Sequence, residues 1–111
     1  MTQKKVKEYY VPIMRDPLKS REYAMVKVEG TPVKFKGLEE FRFFAYDCKQ
    51  IKSLGFRVDE DTTGSLIAEN DSNRLTAIQD AKRKLTKISK DSIRTAIQIT
   101  MKRIKDIPKE E

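Results

Sequence analysis

The first third of the chain alternates apolar and polar residues. Residues 5–14, KVKEYYVPIM, are rich in aromatic and β-branched side chains and predict a first strand. Pro12 brings no backbone donor, which suits an edge. RDPLKSRE, residues 15–22, reads as a loop. In YAMVKVEGTPVKFKG, residues 23–37, Ala24, Val26 and Val28 alternate with polar or amphipathic neighbours. Val33 and Phe35 alternate with Lys34 and Lys36. This predicts a β-hairpin turned at Glu29-Gly30-Thr31-Pro32, with Gly30 able to take a positive φ. The period then changes. Over residues 38–55, Phe41, Phe44, Ala45, Cys48 and Ile51 form one stripe at helical spacing. This predicts an amphipathic helix with Glu39 and Glu40 in its first turn and Gly55 just past its end. Phe43 and Tyr46 fall off the stripe, giving a wide buried face or a self-association surface. FRVDEDTTGSLIAEND, residues 56–71, predicts two short strands around a polar turn.

The remainder is helical in pattern. Thr-Ala-Ile-Gln occurs at residues 76–79 and again at 95–98. Ala77, Ile78, Ala81, Leu85 and Ile88 define one apolar stripe; Ile93, Ala96, Ile97, Thr100, Ile104 and Ile107 define another. In a single helix the second copy would be rotated by about 100° from the first, and the stripes would drift out of register. Ser89, Lys90, Asp91 and Ser92 fill the gap, and Ser and Asp favour N-caps over helix interiors. Two helices are predicted, the first ending near Ile88 and the second starting at Ser89 to Asp91. Four matched residues do not establish a duplication.

Charge sharpens this picture. The net charge is +7 over 111 residues. Residues 1–71 carry 13 basic and 12 acidic side chains, whereas residues 72–109 carry 11 basic and 3 acidic. The helical pair therefore holds nearly all the excess, which points to a polyanionic partner. A solvated lysine-rich face is the plain alternative.

ISKDSIRTAIQI, residues 88–99, resembles the turn and recognition helix of bacterial helix-turn-helix DNA-binding regulators, including the GntR and LacI families. The matching positions are Ile88-Ser89, Lys90-Asp91, Ser92, Ile93, Arg94 and Ala96-Ile97. Thr86-Lys87 stand where the usual turn has glycine. The resemblance implies that Lys90, Arg94, Thr95 and Gln98 face the major groove. Arg suits guanine and Gln suits adenine. Arg83, Lys87, Lys102 and Lys105 would then meet phosphates. The hairpin expected over 23–36, with Lys27, Lys34 and Lys36, reads as a wing or as a lysine-guarded edge.

Other chemistry is sparse. DEDTTGSLIAEN, residues 59–70, partly matches a calcium loop, but Asn70 replaces the bidentate Glu, and a polar β-turn is the expected structure. The chain has no histidine, which removes His-based acid–base chemistry and most transition-metal sites. Cys48, the sole cysteine, lies on an apolar stripe and is expected to be packed; a lone cysteine fits a reducing cytoplasm. No P-loop or Rossmann glycine pattern and no membrane-spanning run occurs. The expectation is a single α+β domain over residues 1–111, with a small, mainly antiparallel sheet, one amphipathic helix and a C-terminal basic helical pair. The function expected is that of a cytoplasmic, non-enzymatic duplex-DNA-binding protein with no cofactor, no metal and no membrane partner. The role is that of a small regulator or accessory factor, set in a phage or mobile element by fold-level analogy alone. The other reading is a protein-interaction module, or homodimer, whose basic helices meet an acidic partner and whose Phe43 and Tyr46 act as apolar anchors.

Overall fold

The computed structural model describes residues 6–16 and 22–110. The fold is α+β. Strands β1 (Lys7–Asp16), β2 (Glu22–Val33), β3 (Phe43–Asp47), β4 (Phe56–Glu60) and β5 (Leu66–Asn70) form an antiparallel sheet in sequential order. Helices α1 (Arg74–Thr86) and α2 (Lys90–Ile104) follow. The chain then returns to the sheet, where β6 (Lys109–Glu110) runs parallel to β2 opposite Met25 and Val26.

Two expectations give way here. The hairpin is formed by β1 and β2, from Lys7 opposite Gly30 to Asp16 opposite Glu22. Glu29 to Pro32 is therefore no turn but the interior of one long strand, and the wing expected over 23–36 does not exist. The loop read at residues 15–22 falls mostly on positions outside the described residues. Gly30 does not take positive φ. What it provides is close approach: a Cβ there would lie 2.9 Å from the Ala45 carbonyl oxygen and 3.0 Å from the Phe44 ring. Pro32 lies opposite Phe44 of β3.

The helix expected over residues 38–55 is β3 followed by a 3-10 turn, Cys48–Ile51. β3 is buried on both faces. Phe43 and Ala45 face α1, while Phe44 and Tyr46 face the opposite side. A strand covered on both sides shows an unbroken apolar run, which periodicity alone does not separate from a buried helix. The off-stripe Phe43 and Tyr46 were the sign of it. Both are almost wholly buried, so neither is an anchor for a partner.

The sheet is strongly curled. β1 and β4 are three places apart, yet the β4–β5 turn lies against β1. On the concave side the Tyr9 ring stacks on Phe44 at 3.9 Å, with Val11, Val28, Tyr46 and Cys48 around them. The Gln50 carboxamide extends the β3 side of β2. Its Oε1 accepts from the Glu29 N–H at 2.6 Å, and its Nε2 donates to the Glu29 carbonyl at 2.8 Å. On the other side of the sheet, Ala77 and Ala81 bring α1 close over Ala45, Val58 and Ala68, with Leu85 beside them.

The acidic loop of the sequence is the turn of the β4–β5 hairpin, where the Gly64 N–H donates to the Glu60 carbonyl at 2.7 Å. The buried Glu60 carboxylate accepts from the Thr62 N–H at 2.7 Å and from the Thr63 N–H at 2.9 Å. Its oxygens staple the turn. Gly64 closes it with φ 71°, and a Cβ there would come within 2.5 Å of the Tyr10 carbonyl oxygen. Gly64→Ala therefore meets both a left-handed backbone and a clash. It should cost about 2–4 kcal/mol, read as a lowered urea midpoint at unchanged m-value.

Candidate nucleic-acid interface

The two C-terminal helices form as their caps dictate. Asn73 Oδ1 accepts from the Thr76 N–H at 2.8 Å, and Ser89 Oγ accepts from the Ser92 N–H at 3.1 Å. Lys87, Ile88 and Ser89 separate the helices. The break expected from the stripe mismatch is therefore present.

The helices are held differently. α1 buries Ala77, Ala81 and Leu85 against the sheet. α2 buries Ile93 alone. Ile97, Thr100 and Ile104 are half-covered, and Ile99 and Met101 are exposed. α2 is instead tied at its two ends. At its start the Arg94 guanidinium grips Glu40, with Nε to Oε2 at 2.9 Å and Nη2 to Oε1 at 2.7 Å. Arg94 Nη1 also donates to Asp91 Oδ1 at 2.6 Å. The Glu40 hydrogen bond, helped by the charges of Glu40 and Asp91, holds the guanidinium still more firmly protonated. Beyond the helix the chain is pinned where the Met25 N–H donates to the Pro108 carbonyl at 2.9 Å.

These contacts distribute the expected DNA-binding residues. Arg94 faces Glu40 and serves as a tether for α2. Lys90 lies 3.9 Å from the same carboxylate. Gln98 borders a cleft of about 570 Å³ between α2 and the strand ends, opposite Arg42, Asp61 and Thr62. Thr95 and Lys102 are exposed, nearly opposite Ile93 on the helix, and Lys105 is exposed just beyond its end. On α1, Arg83 and Lys87 point away from the buried Ala77–Ala81–Leu85 face, and Arg83 is paired with Asp80. The sequence reading passed over Lys82 and Arg103, both exposed. Among the described residues, Lys82, Lys87, Lys102, Arg103 and Lys105 have no ion pair or side-chain hydrogen bond. Lys84 is engaged, donating to the Ile67 carbonyl at 3.2 Å.

The Asp91–Arg94 pair was legible as an i,i+3 spacing. Glu40, which lies 54 residues from Arg94 in sequence, left no local signal. Glu40→Ala should loosen only this tether. Amide hydrogen exchange in the first turns of α2 should quicken while that of α1 stays unchanged, as read by mass spectrometry or NMR. Equal protection of α2 in the variant would show that the tether carries no weight.

No protein-family model, no curated protein and no solved structure matches this chain. The helical surface must therefore be read from its own chemistry. No group of three or more His, Cys, Asp or Glu side chains among the described residues is placed to hold a metal. Cys48 is buried, and desolvation pushes its thiol above its ordinary value, with nearby Arg57 opposing. A thiol held protonated is a poor nucleophile. No helix among the described residues is long and apolar enough to cross a membrane.

Proposed function

We propose that the protein is a non-enzymatic duplex-DNA-binding protein, a small regulator or accessory factor, which meets the phosphate backbone with the outward surfaces of α1 and α2. The observation that carries this reading is the set of five cations on and just beyond the helical pair that have no acidic partner among the described residues: Lys82, Lys87, Lys102, Arg103 and Lys105. Elsewhere basic and acidic side chains nearly balance, 13 against 12 over residues 1–71, whereas residues 72–109 carry 11 against 3. An excess of positive charge on one region raises the local potential and favours a polyanion.

The roles of individual residues shift with the geometry. Arg94 and Lys90 set the position of α2 by holding Glu40. Base contact by Arg94 would first require breaking its bonds to Glu40 and Asp91. Thr95 and Lys102, exposed on the outer face, are better placed to approach a groove, with Gln98 on its flank. Arg83, Lys87 and Lys105 keep the phosphate role, and Arg103 joins them. The resemblance of residues 88–99 to a helix-turn-helix recognition segment supports the same surface.

The test is fluorescence polarisation at low salt with random duplex DNA, single-stranded DNA and duplex RNA of equal length. The proposal expects the tightest binding to duplex DNA. Tighter binding to either other polymer overturns the duplex assignment. Absence of all three overturns nucleic acid binding and favours an acidic protein partner for the helices.

A further inference from the structure

Between the C-terminal half of α1 and the turn that follows β2 lies a groove of about 250 Å³. Its floor is apolar, formed by Phe35, Leu38, Leu85 and Ile88. Phe35 and Leu85 are buried in the core, but Ile88 remains 46% exposed at the turn between the helices. Lys36, Lys82 and Lys90 form the rim. Glu39 accepts from the Gly37 N–H at 2.6 Å, and Glu40 holds Arg94 and lies 3.9 Å from Lys90. Neither acid lines the groove. The opening thus combines a floor still partly open at Leu38 and Ile88 with Lys36 and Lys82, which have no ion pair among the described residues.

We propose that this groove docks an acidic peptide segment of a partner protein, which inserts one large apolar side chain between Lys36, Lys82 and Lys90. The volume is below the range of about 300–1,000 Å³ usual for small-molecule pockets. It suits a single leucine- or phenylalanine-sized anchor. A phosphate backbone would use the lysines but gain nothing from the floor, since it offers no apolar group to bury. An apolar residue flanked by carboxylates uses both. The site goes beyond the DNA reading and lies on the flank of α1 that faces the β2 turn; of the five cations assigned to phosphate it shares only Lys82.

The experiment is an NMR titration of the labelled full chain with a synthetic peptide carrying one leucine between runs of glutamate. Saturable shifts should centre on Phe35 to Leu38, Lys82 and Ile88. A peptide with serine in place of the leucine should bind about tenfold more weakly. Lys82→Glu should weaken the leucine peptide by at least about tenfold through like-charge repulsion. Lys82 is exposed, the free spectrum checks folding, and Lys36→Glu is the second variant should Lys82→Glu misfold. Lys102→Ala should leave the peptide affinity unchanged while lowering DNA affinity, so the two readings fail separately. Absence of saturable shifts, shifts centred elsewhere, equal binding of the serine peptide, or insensitivity to both charge reversals would each overturn the proposal. So would random duplex DNA that perturbs these same groove amides at lower concentration than the peptide.

Discussion

The stability difference between Asp59→Asn and the wild type should move in the variant's favour by up to about 4 kcal/mol as pH rises from about 4 to about 8. Asp59 lies on the concave face of the sheet, directly opposite Phe44, and is 2% exposed. Among the described residues its Oδ1 has no hydrogen-bond partner, and neither has the hydroxyl of Tyr46 beside it. Arg57 on the same strand, Tyr46 on β3 and Glu69 on β5 are the charged and titratable groups around it. Desolvation pushes the Asp59 carboxyl up to about 7 from an ordinary 3.8; the Arg57 charge opposes this without cancelling it. The direction of the pH effect follows. Below 3.8 both folded and unfolded chains are protonated at this residue, and the contribution is at its most favourable. Between 3.8 and about 7 the unfolded chain releases the proton and the folded one keeps it, so stability falls as pH rises. Above that range the loss is complete and levels off. Asparagine has no such titration, while any cost of its own buried amide is constant with pH. Urea denaturation of both proteins at several pH values reads the effect, and parallel curves would show that Asp59 is ionised in the fold throughout.

Binding of random duplex DNA should be steeply salt-dependent. Five cations without ion-pair partners among the described residues are available to displace counterions: Lys82, Lys87, Lys102, Arg103 and Lys105. If all five reach phosphates, the slope of log K against log salt is about −4 to −5, and affinity falls several-hundredfold from about 50 to 200 mM. The cations already paired are expected to add less, since each would exchange one carboxylate for one phosphate. Arg94 is the clearest case. Polarisation across the salt series gives the slope directly, and a shallow one would mean that most of these cations stay in solvent.

The elements legible in the sequence are those whose two faces differ in polarity. β5 and α1 each put one face on the core, so their periods of two and 3.6 survive in the residue pattern. β4 is buried on both faces, but Arg57 and Asp59 alternate with Phe56 and Val58, so its period of two survives as well. The boundary between α1 and α2 was legible because Ser89 is a local device acting on Ser92, three residues on. β3 was not legible because burial of Phe43, Phe44, Ala45 and Tyr46 on both faces erases the period. The long β2 was misread because Gly30-Thr31-Pro32 has turn chemistry locally. The reason for that glycine, the close approach of Phe44 and Tyr9, is tertiary. The candidate interface divides the same way. Its charge was plain in the composition, but which cations are free depends on acids such as Glu40, brought to α2 from a distant turn.

The measurement that bears most directly on the proposed interface is the salt slope of a variant with Lys87, Lys102 and Lys105 all changed to alanine. All three are exposed and have no ion pair among the described residues, so the fold should be retained. If the outward faces of α1 and α2 carry the phosphate contacts, the slope for random duplex DNA should shrink by about three units, and low-salt affinity should fall with it. A variant that keeps the wild-type slope and affinity would contradict the account and place any DNA contact elsewhere on the molecule.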